Sequence, residues 1–386
     1  MIDFKEMIAA RHVYAKKWKE KTGGKVLGYF EPYMPEEIAY AAGILPVRIL
    51  AEHEDDDISD KWIYGSCYPV RDMVNQVLKG RYDYLDGLVN VEGCQWMFHG
   101  FEVIMNNRPE LFYHYFFMPD YTDAPTSKDV ARSEMHVFKQ KMEEWTGQNI
   151  TVEALDSAIA VYNKNRRLLR RMYELRRKNN SVILGSEAMQ IVLACQVMDK
   201  AEANEILERY LDEIEDREPY EDRIRLMLVG SETFNTDLEE LVERLGANVV
   251  IDELDTGSSY FWNETIEQKD RLMALSLRYL GRPHNPIKDN NWRRRIQHIF
   301  ELTEDYNVDG VIIEKQIYCH LHGSDNYAVW KMLRERNIPF LYFERDMKLQ
   351  EEDTSMRIEA FINMLRPGVT HLAGWNRVFG GQEVKR

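Results

Sequence analysis

Short apolar runs alternate with helix-like spacing over the first part of the chain. Lys25-Val26-Leu27-Gly28-Tyr29-Phe30 is an apolar run suited to a buried strand, and Glu31-Pro32 breaks it. Pro35 then stands at a plausible first helical position, with Glu36 and Glu37 in the first turn and Gly43 at the end, so 35–43 reads as a helix. Residues 45–50 read as a second strand, 72–78 as a short helix and 85–91 as a third strand. Such alternation predicts a parallel sheet.

The middle is helical. Over 151–178 the chain has a Thr151 cap and apolar Leu155, Ile159, Leu168, Met172 and Leu175 at near-helical spacing. A second helical stretch covers 186–214, and together the two read as a spacer between halves. The acidic run 212–222, with Pro219, marks the next boundary. Beyond it the α/β rhythm resumes, with strands expected at 224–230, 248–252, 309–313 and 339–343 and helices at 236–245 and 356–365. The expected fold class is therefore α/β: two Rossmann-like or flavodoxin-like parallel-sheet domains joined by a helical segment. The expected boundaries are 1–148, 149–221 and 222–386. The two α/β segments also share wording. Gly65-Ser66-Cys67-Tyr68 matches Gly257-Ser258-Ser259-Tyr260, and Asp86-Gly87-Leu88-Val89 before Cys94 matches Asp309-Gly310-Val311-Ile312 before Cys319. A diverged duplication is the preferred explanation.

Composition narrows the function classes. At 386 residues, 44% hydrophobic and 30% charged, the chain has material for two or three cores and is not a disordered tail. Fifty basic against 65 acidic residues give a net charge of −15, which argues against a nucleic-acid partner. No apolar run approaches the roughly 20 residues of a membrane helix. The opening Met1-Ile2-Asp3-Phe4-Lys5-Glu6 lacks the features of a secretory signal, so a reducing, cytoplasmic setting is expected. Arg166, Arg167, Arg170, Arg171, Arg176 and Arg177 with Lys178, and Trp292-Arg293-Arg294-Arg295, read as solvated faces or as contacts between subunits. Neither a phosphate-binding G-x-x-x-x-G-K-[ST] loop nor a G-x-G-x-x-G after a strand is present.

Four cysteines are too few for a disulfide framework. Cys94 and Cys319 each follow a predicted strand, and Cys67 sits in a glycine-containing loop leading into a helix. In open α/β sheets ligands gather outside the carboxyl ends of strands, so two facing domains would bring these three thiols into one cleft. Cys195, inside an apolar helical run, reads as a small buried hydrophobe. Three converging thiols suit zinc with His320 or His99, a cysteine nucleophile, or an iron–sulfur cluster, and unrelated cysteines remain the bland reading. A cluster on three thiolates would leave one iron open.

At these residues the chain resembles the 2-hydroxyacyl-CoA dehydratase and benzoyl-CoA reductase subunit family, over nearly its whole length. The words that carry the resemblance are Gly28-Tyr29-Phe30-Glu31-Pro32 with Ala41-Ala42-Gly43-Ile44-Leu45-Pro46, Cys67-Tyr68-Pro69, and Asp86-Gly87 before Cys94. Asp252-Glu253-Leu254-Asp255-Thr256-Gly257-Ser258 and Cys319 after a strand complete the set. The resemblance implies a [4Fe–4S] cluster held by Cys67, Cys94 and Cys319 and a related second subunit with its own cluster. It also implies a separate ATPase activator, ferredoxin as the upstream donor and a CoA thioester substrate. The implied reaction is the ATP-dependent reduction of the ring of benzoyl-CoA to a cyclic diene, as done by the smaller cluster-bearing reductase subunit. The alternative is dehydration of a 2-hydroxyacyl-CoA through a ketyl radical. Ring reduction would need a proton donor, for which His99, His320 and His322 are the candidates. Many relatives carry Cys-Asp-Pro at the last cysteine; here Cys319-His320-Leu321-His322 departs from them.

Overall fold

Largely buried strands interleaved with helices build two separate sheets. The computed structural model describes residues 2–52, 58–177, 181–220, 223–288, 292–346 and 351–366. Lys178 and Asp222, named above, lie outside them. The chain enters through α1 (Phe4–Ala9), capped by Asp3, and α2 (Arg11–Thr22), ended by Gly23 at φ 67°. There follow β1 (Val26–Tyr29), α3 (Glu36–Ala41), β2 (Leu45–Arg48), α4 (Asp60–Ile63), α5 (Tyr68–Leu78), β3 (Gly87–Val91), α6 (Gln95–Asn107) and β4 (Phe112–Phe116). All four strands are parallel, in the order β2-β1-β3-β4. β1, β2 and β3 are buried along their whole length, as parallel strands covered on both faces must be. β4 is missing from the expected strands. It is a half-exposed edge strand whose aromatic run carries no alternation of apolar and polar residues.

Four helices lead to the second half: α7 (Ser127–Thr146), α8 (Val152–Arg177), α9 (Gly185–Cys195) and α10 (Lys200–Ile214). Thr151 caps α8 by accepting from the Ala154 N–H at 3.2 Å. The expected single stretch over 186–214 is two helices. Asp199 restarts the chain by accepting from the Ala201 and Glu202 N–H groups at 2.9 and 3.2 Å. The second sheet is built from β5 (Ile224–Gly230), α11 (Asp237–Arg244), β6 (Ala247–Glu253), α12 (Ser258–Phe261), α13 (Arg271–Leu280), α14 (Trp292–Asp305), β7 (Gly310–Gln316), α15 (His320–Glu335), β8 (Phe340–Arg345) and α16 (Glu351–Leu365). Its order is β6-β5-β7-β8, again all parallel.

Counted within each half, the strand order is the same, and one of the shared words does the same work in both. Asp86 accepts from the Val26 N–H at 2.9 Å, and Asp309 from the Arg225 N–H at 2.8 Å. In both halves an aspartate ahead of the third strand pins the start of the first. The middle helices are more than a spacer. Leu168, Met172, Ile191 and Leu207 share one buried cluster with Met227, Val229 and Val250, so α8, α9 and α10 cover one face of the second sheet. The parts are also tied by a buried charge. Glu37 on α3 accepts from Arg166 on α8 at 2.5 Å and from the Tyr279 hydroxyl on α13 at 2.8 Å.

Candidate functional site

Each of the three loop cysteines is the N-cap of a helix on the carboxyl side of a sheet: Cys67 before α5, Cys94 before α6 and Cys319 before α15. All three cysteines line one cavity of about 40 Å³. Val70, Met97, Ile287 and Leu321 make much of its wall apolar, while Glu31, Ser231, Glu232 and His322 supply polar groups. Glu31 follows β1, and Ser231 and Glu232 follow β5. The carboxyl ends of both sheets therefore converge here, where open α/β folds place ligands.

Local backbone geometry aims the thiols. Tyr318 takes the left-handed region at φ 68°, and the Cys319 N–H then donates back to the Gln316 carbonyl at 3.0 Å. Gly93 lets the Cys94 turn lie against Ile287, since a Cβ there would stand 2.9 Å from Ile287 Cγ2. Burial is the largest influence on all three thiols. It pushes Cys67 up to about 12 and raises Cys94 and Cys319. The opposing influence is the helix start: the N–H groups of Val70, Met97 and His322 face the respective sulfurs and favour the thiolate, though none closes to a full capping hydrogen bond. As neutral thiols the three rest in this apolar cavity, and a soft metal centre would bind them as thiolates with release of their protons. The sulfur donors and dry walls fit an iron–sulfur cluster, because soft thiolates prefer such metal centres. All four cysteines are free, and Cys195 lies in the core of α9 with Asn165 as its neighbour.

Of the three histidines, His322 alone lines the cavity. Burial, and then Arg295, push its pKa well below the ordinary range, so the ring is neutral. His320 lies on an outer groove beside Trp292 and Tyr327, and His99 is exposed beside Glu102. Much of the basic runs is paired within the chain. Arg166 pairs with Glu37, Arg167 with Glu264, Arg171 with Asp212 and Glu215, Arg294 with Asp123, and Arg295 with Glu253 and Asp325.

Sequence reasoning did not single out the acids below the thiols. Carboxylate oxygens of Glu31, Glu232 and Asp255 all lie within 4.8 Å of one another, fully buried. Arg48 pairs with Glu232, and Arg282 lies 3.6 Å from Asp255. Burial first, and then the neighbouring carboxylates, push Glu31 well above the usual carboxylate range. Glu232 is raised to about 7, chiefly by burial, which Arg48 opposes. The rule that found the cysteines reaches these acids too, since Glu31 and Glu232 each lie within two residues of a strand's carboxyl end.

Comparison with known proteins is consistent along the chain. The 2-hydroxyglutaryl-CoA dehydratase, D-component family matches residues 32–365. The beta subunit of (R)-phenyllactyl-CoA dehydratase from Clostridium sporogenes is 24% identical over 94% of this chain and 98% of its own length. A benzoyl-CoA reductase subunit from Thauera aromatica is 25% identical over 86% and 88%. The beta subunit of (R)-2-hydroxyglutaryl-CoA dehydratase from Acidaminococcus fermentans is 23% identical over 94% and 98%. With two parallel sheets, three cysteines at helix starts and a family match from the turn after β1 to the last helix, the chain belongs to the 2-hydroxyglutaryl-CoA dehydratase D-component family.

Proposed function

We propose that this chain is the [4Fe–4S]-bearing, beta-type subunit of a low-potential acyl-CoA enzyme, with Cys67, Cys94 and Cys319 as the cluster ligands. The observation that carries the proposal is the meeting of three free thiols, each at the start of a different helix, in one largely apolar cavity. When bound, such a cluster supplies single electrons at low potential. The chain's own residues do the rest. Helix starts at α5, α6 and α15 favour the thiolates, Val70, Met97, Ile287 and Leu321 keep water from the sulfurs, and Arg48 and Arg282 balance the acids below. A related second subunit, an ATPase activator, ferredoxin as donor and an anaerobic cytoplasm complete the proposal. Exposed aromatic side chains beside the thiol turns support a docking partner: Trp62 and Tyr64 before Cys67, and Tyr318 before Cys319. No helix among the described residues is long and apolar enough to cross a membrane.

Two reactions fit this machinery. Ring reduction of benzoyl-CoA, expected from the sequence, is supported by the Thauera relative. Dehydration of a 2-hydroxyacyl-CoA stands level with it, because the two dehydratase subunits match over 94% of the chain against 86% for the reductase subunit. Anaerobic purification of the full complex tests the cluster first. Cys67→Ser, Cys94→Ser and Cys319→Ser should each lower iron and sulfide below about four of each per cluster, while Cys195→Ser keeps them. Full iron in any of the first three removes that residue from the ligand set. Turnover with reduced ferredoxin and ATP, on benzoyl-CoA and then on a 2-hydroxyacyl-CoA, assigns the reaction.

A further inference from the structure

The loop after β5 borders two separate spaces. Its first residues, Ser231 and Glu232, line the thiol cavity, and its later ones, from Phe234 to Asp237, line a second chamber of about 260 Å³. Ile8 of α1, Leu50 beyond β2, Leu193 of α9 and Phe234 give this chamber an apolar wall, to which Gln190 and Thr236 add an amide and a hydroxyl. It too draws on segments past the carboxyl ends of strands from both sheets, the place where α/β folds gather ligands. Size separates the two spaces. The thiol cavity, at about 40 Å³, has room for about one water, whereas an apolar cavity of about 150 Å³ already takes a benzene ring. The larger chamber therefore fits a ring with a short polar arm.

Charge narrows the ligand further. Two positive lining residues, Lys5 and Arg11, stand against two negative ones, Glu52 and Asp237. Arg11 pairs with Glu52 and donates to the Ile8 carbonyl at 3.1 Å, and Lys5 reaches Glu240 on α11 at 2.7 Å. A carboxylate or phosphate entering here would lose its water without gaining a surplus of positive charge. An uncharged ring carries no such penalty, and Phe234 offers it an aromatic neighbour.

Occupancy has a short path to the thiols. The Arg48 guanidinium lies 5.9 Å from the centre of the Phe234 ring and pairs with Glu232 of the thiol cavity wall. The loop itself is held. Ser231 Oγ accepts from the Gln316 N–H at 3.1 Å and Asn235 Oδ1 from Arg345 at 3.1 Å, so the Phe234 side chain is the part that a bound ring displaces.

We propose that this chamber binds a small uncharged aromatic molecule with one hydrogen-bonding group, and that its occupancy is felt at the thiols through Phe234, Arg48 and Glu232. The site goes beyond the cluster assignment and needs neither iron nor a sulfur ligand. Titration of the full-length chain by saturation-transfer NMR tests it, with benzamide as the probe and benzoate as its charged counterpart. Benzamide should bind about tenfold more tightly than benzoate. Ala51→Phe, which fills the chamber beside Phe234, should weaken benzamide by about tenfold or more. Ala9→Phe, at an exposed position of α1, should do the same and guards against misfolding of the first variant. No saturable binding by the wild type overturns the site, as does equal binding by the wild type and both filled variants. Benzoate binding as tightly as benzamide overturns the uncharged class. The path is read from iodoacetamide labelling of the reduced, metal-free chain, followed by mass spectrometry. Saturating benzamide should change the labelling rates of Cys67, Cys94 and Cys319 by about fivefold and leave Cys195 unchanged, and Ala51→Phe should abolish the effect. Unchanged rates with benzamide bound overturn the path. Because the labelled chain holds no metal, failure of the cluster assignment leaves both outcomes readable.

Discussion

Tyr318 sits at φ 68° directly before Cys319, a backbone conformation that suits glycine or asparagine and strains an aromatic residue. Among the described residues the other two non-glycine positions in that region are Asn307 and Asn337, which tolerate it. The strain at Tyr318 is thus confined to the turn that aims a thiol into the cavity. Tyr318→Gly should leave unfolding stability within about 1 kcal/mol of wild type, whereas Tyr318→Val should lower it by about 1–2 kcal/mol, read from denaturant midpoints. At this scale the three cysteines are legible in the sequence, because Cys94 and Cys319 each stand past an apolar strand run and Cys67 stands in a glycine-containing loop before a helix. Glu31 is written in the sequence just as plainly, yet its meaning is not. Nothing in Phe30-Glu31-Pro32 says that both oxygens end without a partner, since that depends on Glu232 and Asp255, some 200 residues away.

Strand ends are where the elements are least tolerant. A Cβ on Gly230, the last residue of β5, would stand 1.8 Å from the Glu314 carbonyl oxygen of the neighbouring β7. Gly230→Ala should therefore cost about 3–5 kcal/mol and displace Ser231 and Glu232 from the cavity wall. Loss of cooperative unfolding or a Tm lowered by many degrees is the expected readout, and a stability near wild type would mean that the two strands part easily. The break between α9 and α10 shows what periodicity alone misses. Asp199-Lys200-Ala201-Glu202 has the aspartate and the glutamate three residues on that begin a helix, and this cap was a better guide than the continuous apolar spacing. β4 had no such signal, because an edge strand open to solvent needs neither alternation nor an unbroken apolar core.

Across the whole molecule, Glu37 joins three distant segments through Arg166 and Tyr279. Burial alone would raise its pKa, but Arg166, and then Arg278, outweigh burial and hold it below the usual carboxylate range. A depressed folded-state pKa contributes stability that is present above the ordinary carboxylate value and lost as pH falls through the folded one. Glu37→Gln should cost about 3–5 kcal/mol at neutral pH, since it leaves Arg166 buried without its counter-charge. The deficit should shrink as pH falls below the ordinary carboxylate value towards the depressed one of Glu37, where the wild type itself loses the charge. Urea unfolding at a series of pH values checks both, and a deficit independent of pH would assign the effect to packing.

Taken alone, the sequence determined the alternation of strands and helices, the parallel sheets, the placing of Cys94 and Cys319 just past strands and that of Cys67 in a loop before a helix. Each of these follows from short-range periodicity and steric preference, which act over a few residues. Only the tertiary structure decided that the carboxyl ends of both sheets face one cavity. It alone set Glu31, Glu232 and Asp255 together beneath the sulfurs, and turned His322 inward while leaving His99 and His320 outside. The physical reason is burial, because a side chain's charge and its demand for a partner are fixed by which distant segments exclude water from it, and no local pattern encodes that.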